Sequence, residues 1–143
     1  MAKTICKILG VVFILVGIIG FLAPGLMGMH LSLAHNLVHI ISGALALYFG
    51  FAGTLSGARG FCIAFGVVYG LLGIAGFLLG GSAAHGVAAV PATHHGATDS
   101  SLWRVLPNTL ELASMDHIVH LLLALLFLIG GFLTKADVRN AVD

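Results

Sequence analysis

Histidine is the residue in this chain best suited to chemistry, and its eight copies stand at positions 30, 35, 39, 85, 94, 95, 117 and 120. His35 and His39 are four apart, and His117 and His120 three apart, so on helices each pair shares one face. Imidazole nitrogen binds zinc, copper, nickel and iron, whereas thioether sulfur favours Cu(I). Met27, Met29 and Met115 lie in the same regions as the histidines and tilt the expectation toward copper. The candidate metal ligands are therefore His35, His39, His117, His120, Met29 and His30. His39 and His120 could alternatively hold a haem b iron between two facing helices. Asp116, four before His120, and Asn36 are candidates to orient the ligand rings from outside the coordination shell. The competing reading keeps all of these as hydrogen-bonding residues that pin helices together, at about 0.6 kcal/mol per bond inside a membrane.

Other chemistry finds less support. No nucleophile, base and orienting group converge by spacing, and there is no phosphate loop or dinucleotide fingerprint, so an enzyme is not expected. His85, His94, His95 and Asp99 fall in a Gly-, Ala-, Ser- and Thr-rich stretch with no fixed geometry and are expected to face water rather than to hold a ligand. Cys6 and Cys62 read as small packing residues. The middles of the apolar runs carry no ionisable group, which argues against an ion pathway.

The elements that must position the histidines follow from composition. Of 143 residues, 59% are hydrophobic and only 8% charged, against about 25% charged in soluble domains. Four apolar runs, residues 5–22, 36–53, 61–79 and 117–133, each approach the roughly 20 residues that cross the hydrocarbon of a bilayer. They leave a short loop at 23–35, a turn at 54–60 and a long loop at 80–116. Lys3, Lys7, Arg59, Lys135 and Arg139 flank one side and Arg104 alone the other. The positive-inside rule then puts both termini in the cytoplasm and the histidines at the outer face of a bacterial inner membrane.

Residues 5–22 also resemble a signal peptide, with Lys3 and Lys7 ahead of an apolar run. An internal repeat argues that this segment is a retained span. Shifted by 56, Cys6, Gly10, Val11, Val12, Leu15, Gly17, Ile18, Gly20, Phe21 and Leu22 meet identical residues from Cys62 to Leu78. Shifted by 81, Val38, His39, Leu45, Leu47, Gly50 and Phe51 meet Val119, His120, Leu126, Leu128, Gly131 and Phe132. The second shift sets His39 and His120 at equal depth. The expected fold is an all-α integral membrane four-helix bundle, one domain over residues 1–143, built from two tandem helical hairpins about a pseudo-twofold axis along the membrane normal. Gly66/Gly70, Gly76/Gly80 and the row Ser42, Ala46, Gly50 predict close helix contacts.

The run from Leu9 to Leu22, the Asn36-x-x-His39 start of the second span, and Leu106-Pro-Asn108 ahead of Asp116-x-x-x-His120 resemble a bacterial family of small four-span membrane proteins. That family is a domain of unknown function numbered in the 4300s. The resemblance covers most of the chain and implies the four-span fold without an activity. In the family a Pro-x-Asn-x-Ala-Asp-Asn-x-x-His stretch opens the last span; here the interval from Asn108 to Asp116 is longer, and His117 replaces the second Asn.

The expected partners are the lipid bilayer and, through the glycine faces, a second copy or a larger membrane complex. The alternative function is accordingly a scaffold or accessory subunit. Six basic residues in no patch or stripe leave no surface for nucleic acid.

Overall fold

A computed structural model describes residues 1–81 and 101–135 of the chain. Four long helices run through them: α1 (Ala2–Gly20), α2 (Leu33–Phe51), α3 (Leu55–Leu79) and α4 (Ser114–Phe132). Three have 19 residues and α3 has 25, so at 1.5 Å per residue even the shorter ones reach about 28 Å, close to the hydrocarbon thickness. All four are long and apolar enough to cross a membrane. The protein is a multi-pass membrane protein with a helical-bundle fold.

Helix ends depart from the hydropathy reading where side chains cap the backbone. The turn expected at 54–60 is mostly helix, because the Thr54 hydroxyl accepts the Gly57 N–H at 3.0 Å and starts α3 at Leu55. Likewise the Ser32 hydroxyl accepts the His35 N–H at 3.3 Å and starts α2 at Leu33. Asp116, in the first turn of α4, accepts the Ala113 N–H at 2.7 Å, where a carboxylate also suits the positive end of the helix.

The bundle is apolar outside and small, aromatic or polar inside. Ile8, Val11, Leu15, Ile18, Ile41, Leu71, Ile74, Leu122 and Leu125 are exposed toward the lipid. Within, Phe13, Tyr69 and Phe127 stack with ring centroids 5.5–6.2 Å apart. Such a gradient suits a membrane solvent, where apolar surface gains nothing by leaving lipid and packing rests on close backbone approach.

That approach occurs within each hairpin, α1 on α2 and α3 on α4. Gly10 faces Leu47 and Gly66 faces Leu128; Gly17 faces Ile40 and Gly73 faces Leu121; Gly20 faces Asn36 and Gly76 faces His117. Each second contact is the first displaced by 56 on one helix and 81 on the other. The glycine contacts expected at helix crossings are present for Gly66, Gly76 and Gly50, whereas Gly80 meets the backbone of Ser101 in the outer connection. They are taken up inside the chain, so Gly50, Gly66 and Gly76 do not form open faces for another protein. Between hairpins, Cys6 and Cys62 meet with their Sγ atoms 3.5 Å apart.

One end of the bundle gathers the basic residues. The Arg59 Nε–H donates to the Gly131 carbonyl at 3.1 Å, Lys7 stands 4.5 Å over the Phe51 ring, and the Ala2 N–H donates to the Thr134 hydroxyl at 2.7 Å. Arg139 lies outside the described residues. At the other end, the stretch expected to be loop contains an antiparallel β-hairpin, β1 (Trp103–Leu106) and β2 (Leu110–Leu112). Asn108, with φ of 62°, makes its turn, and its N–H donates to Glu111 Oε1 at 3.0 Å. Asparagine is among the few residues that tolerate this left-handed backbone.

Candidate functional site

Capping by Ser32 sets the phase of α2 so that His35, Asn36, His39 and Ser42 all turn inward and are buried. Capping by Asp116 does the same for His117 and His120 on α4. His39 and His120 are each six positions beyond the first helical residue, about 9 Å below the helix ends. The ring of His35 lies 4.6 Å from that of His39 and 6.1 Å from that of His120, centroid to centroid. Phe13 packs on His39 at 5.5 Å, and Tyr69 packs on His120 at 5.2 Å.

These three histidines border a cavity of about 180 Å³. Ser42 and Tyr69 complete its polar side. Val38, Phe65, Val68 and Leu72 form the wall from α2 and α3, and Val105, Leu110 and Leu112 of the β-hairpin cover it from the outer end.

Hydrogen bonds fix the chemistry of two rings. His35 Nδ1–H donates to the His30 carbonyl at 2.9 Å, which leaves Nε2 as its only lone-pair nitrogen. His30 in turn donates through Nδ1–H to the Glu111 carbonyl at 3.1 Å. His39 Nδ1 and His120 Nδ1 are buried without a protein partner. Leaving such a group unsatisfied costs about 1–3 kcal/mol.

The remaining expected ligands do not reach the cavity. His117 turns toward α3, packs against Gly76 and Phe77, and donates from Nε2 to the Ser101 carbonyl at 2.7 Å. Asn36, its counterpart on α2, packs against Gly20 and donates to the Leu31 carbonyl at 3.4 Å. Both tie a helix to the outer connections. Asp116 accepts the His30 N–H at 2.9 Å as well as that of Ala113, and so anchors the first outer loop to α4 rather than orienting the His120 ring. Met29 is buried and Met27 exposed, and neither borders the cavity; Met115 packs on Gly28. α2 and α4 are not broad neighbours. Their histidines approach one another across the cavity beside α1 and α3. Among the described residues no three His, Cys, Asp or Glu side chains are already arranged to hold a metal ion. His85, His94, His95 and Asp99 lie outside the described residues.

Tyr69 and Ser42 border the cavity without being among the expected site residues, Ser42 being expected only at a helix contact. Ser42 lies seven residues after His35 and three after His39, on their helix face. Tyr69 is the partner of Phe13 under the shift of 56, and its hydroxyl is the one polar difference in that aromatic pair. The strands Trp103–Leu106 and Leu110–Leu112 gave only a short alternation around Pro107-Asn108.

No curated protein and no solved structure matches the chain. The family model described as "Domain of unknown function (DUF4383)" matches residues 3–98, which include α1, α2 and α3, and this chain therefore belongs to that family.

Proposed function

We propose that the protein binds one transition-metal ion at the outer end of its bundle through His35, His39 and His120. The observation that carries this reading is the convergence of three buried imidazoles, drawn from both hairpins, around one cavity, with the Nδ1 atoms of His39 and His120 buried and without a protein partner. With metal–nitrogen bonds of about 2.0–2.1 Å and a ring radius of about 1.2 Å, two imidazoles on one ion have centroids about 4.5–6 Å apart. The 4.6 Å separation falls within that range, and the 6.1 Å separation lies just beyond its upper end. Rotation about χ2, a broad torsion in histidine, is the movement that would aim the nitrogens at one point.

The donor set is imidazole with a nearby phenol and hydroxyl, since the methionines lie elsewhere. This favours Zn(II) or Cu(II) over Cu(I). A cavity of about 180 Å³ holds an ion and a small ligand, while haem-sized ligands occupy pockets of several hundred Å³. The hydrogen bond from His35 to the His30 carbonyl is the backbone-carbonyl type that fixes a ligand's tautomer and orientation. In this reading the basic end of the bundle lies in the cytoplasm of a bacterial cell, the site faces outward, and the protein is not itself an enzyme.

Elemental analysis of protein purified without chelator tests the proposal. One equivalent of metal is expected in the native chain and less than about a tenth in His39→Ala or His120→Ala. Full retention in both variants, or no metal at any concentration of Zn(II) or Cu(II), would leave the histidines as hydrogen-bonding residues of a scaffold protein.

A further inference from the structure

Val38 and Val68 both border the histidine cavity, yet they remain 46% and 52% exposed on the outside of the bundle. They belong to α2 and α3, which come from different hairpins and meet far less closely than α1 with α2 or α3 with α4. The cavity therefore opens sideways between these helices, whose nearby residues Ile41 and Leu71 are exposed toward the lipid. On the outer side the hairpin residues Val105, Leu110 and Leu112 stand over it.

The lining offers a ligand carbon surface in place of polar partners. The hydroxyls of Tyr69 and Ser42 hydrogen-bond each other, and His35 Nδ1 is taken up by the His30 carbonyl. The unpartnered Nδ1 atoms of His39 and His120 are buried and present no surface to the cavity. Val38, Phe65, Val68 and Leu72 supply the wall toward the bilayer. Water finds too few hydrogen-bond partners in such a space to occupy it, and a polar head group would be desolvated there without compensation.

We infer that the cavity holds a stretch of one acyl chain from a phospholipid of the leaflet on the β-hairpin side. Its opening lies on the lipid-facing surface between two spans, so hydrocarbon chains are the molecules that meet it. An apolar cavity of about 150 Å³ accommodates benzene, with six carbons, so about 180 Å³ takes about seven carbons. That is a segment of a chain: the head group stays at the membrane surface, and the other carbons lie in the gap beside Val38 and Val68. Seated there, the chain fills the seam that the two hairpins leave between α2 and α3. Such binding needs no metal at the histidines and stands or falls apart from it.

The test uses the full chain, freed of metal by chelator, in phosphatidylcholine nanodiscs that include a phosphatidylcholine with a photoreactive diazirine midway along one acyl chain. After illumination, peptide mass spectrometry is expected to find label on Phe65, Val68 and Leu72 at least about fivefold above that on Val11 and Leu15, which face lipid on α1. Val68→Trp, which fills the gap, is expected to lower the label on Phe65 and Leu72 by about fivefold and to leave Val11 and Leu15 unchanged. Val38→Phe gives a second, milder narrowing with the same sign. Label spread evenly over the cavity and α1 residues, or undiminished on Phe65 and Leu72 in both variants, overturns the inference and leaves lipid only brushing the bundle. Equal labelling of Phe65 and Leu72 by a water-soluble diazirine overturns it in favour of a water-filled cavity.

Discussion

Gly76 lies directly against the ring of His117, and a Cβ at that position would overlap the imidazole. Gly20 stands in the same relation to Asn36 on the other hairpin. These two contacts fix how closely α3 approaches α4 and α1 approaches α2 at their outer ends. Gly76→Ala and Gly20→Ala should each destabilise the fold by about 1–3 kcal/mol, the usual cost of overpacking. Gly60→Ala is the control: nothing lies within 4 Å of its added methyl, and helix propensity favours alanine by up to about 1 kcal/mol. Thermal unfolding followed by circular dichroism in detergent should rank the three variants in that order.

Asp116 joins the first outer loop to α4 through two backbone N–H groups, those of His30 and Ala113. Asp116→Ala leaves the buried Ala113 N–H and the half-buried His30 N–H unpaired and should cost roughly 2–4 kcal/mol, at 1–3 for each unsatisfied group with partial access to water. Asp116→Asn keeps one acceptor oxygen and should lose less. Equal melting temperatures for the two variants would contradict this account of the carboxylate.

Cys6 and Cys62 are fully buried, 3.5 Å apart, with contacts to the Ala58 and Ala2 carbonyls respectively. Neither thiol should react with maleimide in the folded protein, and both should react in denaturant. Rapid native labelling would mean that α1 and α3 do not pack at this crossing.

Orientation is tested in a Cys6→Ala, Cys62→Ala background with one new cysteine. Placed at Asn108, the hairpin turn, it should be labelled in intact cells by a membrane-impermeant maleimide; placed at Gly57, near the start of α3, it should be labelled only after lysis. The reverse pattern would put the histidines on the cytoplasmic side.

The four helices and their close contacts were legible because lipid demands long apolar runs and the repeat preserves glycines at fixed offsets. The direction of each histidine was less so. His39 and His120 read correctly as inward and equally deep, but His117 occupies the position of Asn36, and that equivalence marks it as a residue that ties α4 to the connection above it. Asp116 spaced four before His120 looked like a ring partner; its capping of α4 takes the carboxylate to the backbone instead. Met27 and Met29 are carried away from the cavity by the turn through Leu26–Gly28, where Met27 adopts a positive φ of 54°, and Met115 on α4 packs on Gly28 of the same turn. The β-hairpin stayed hidden because strands of four and three residues carry almost no periodic signal.

X-ray absorption at the metal edge of the zinc- or copper-loaded protein tests the metal site most directly. The metal is expected to have three imidazole nitrogens at about 2.0–2.1 Å and no sulfur, and one imidazole fewer in His35→Ala. A shell containing sulfur, or one that keeps all its imidazoles when His35, His39 or His120 is replaced, would contradict this site.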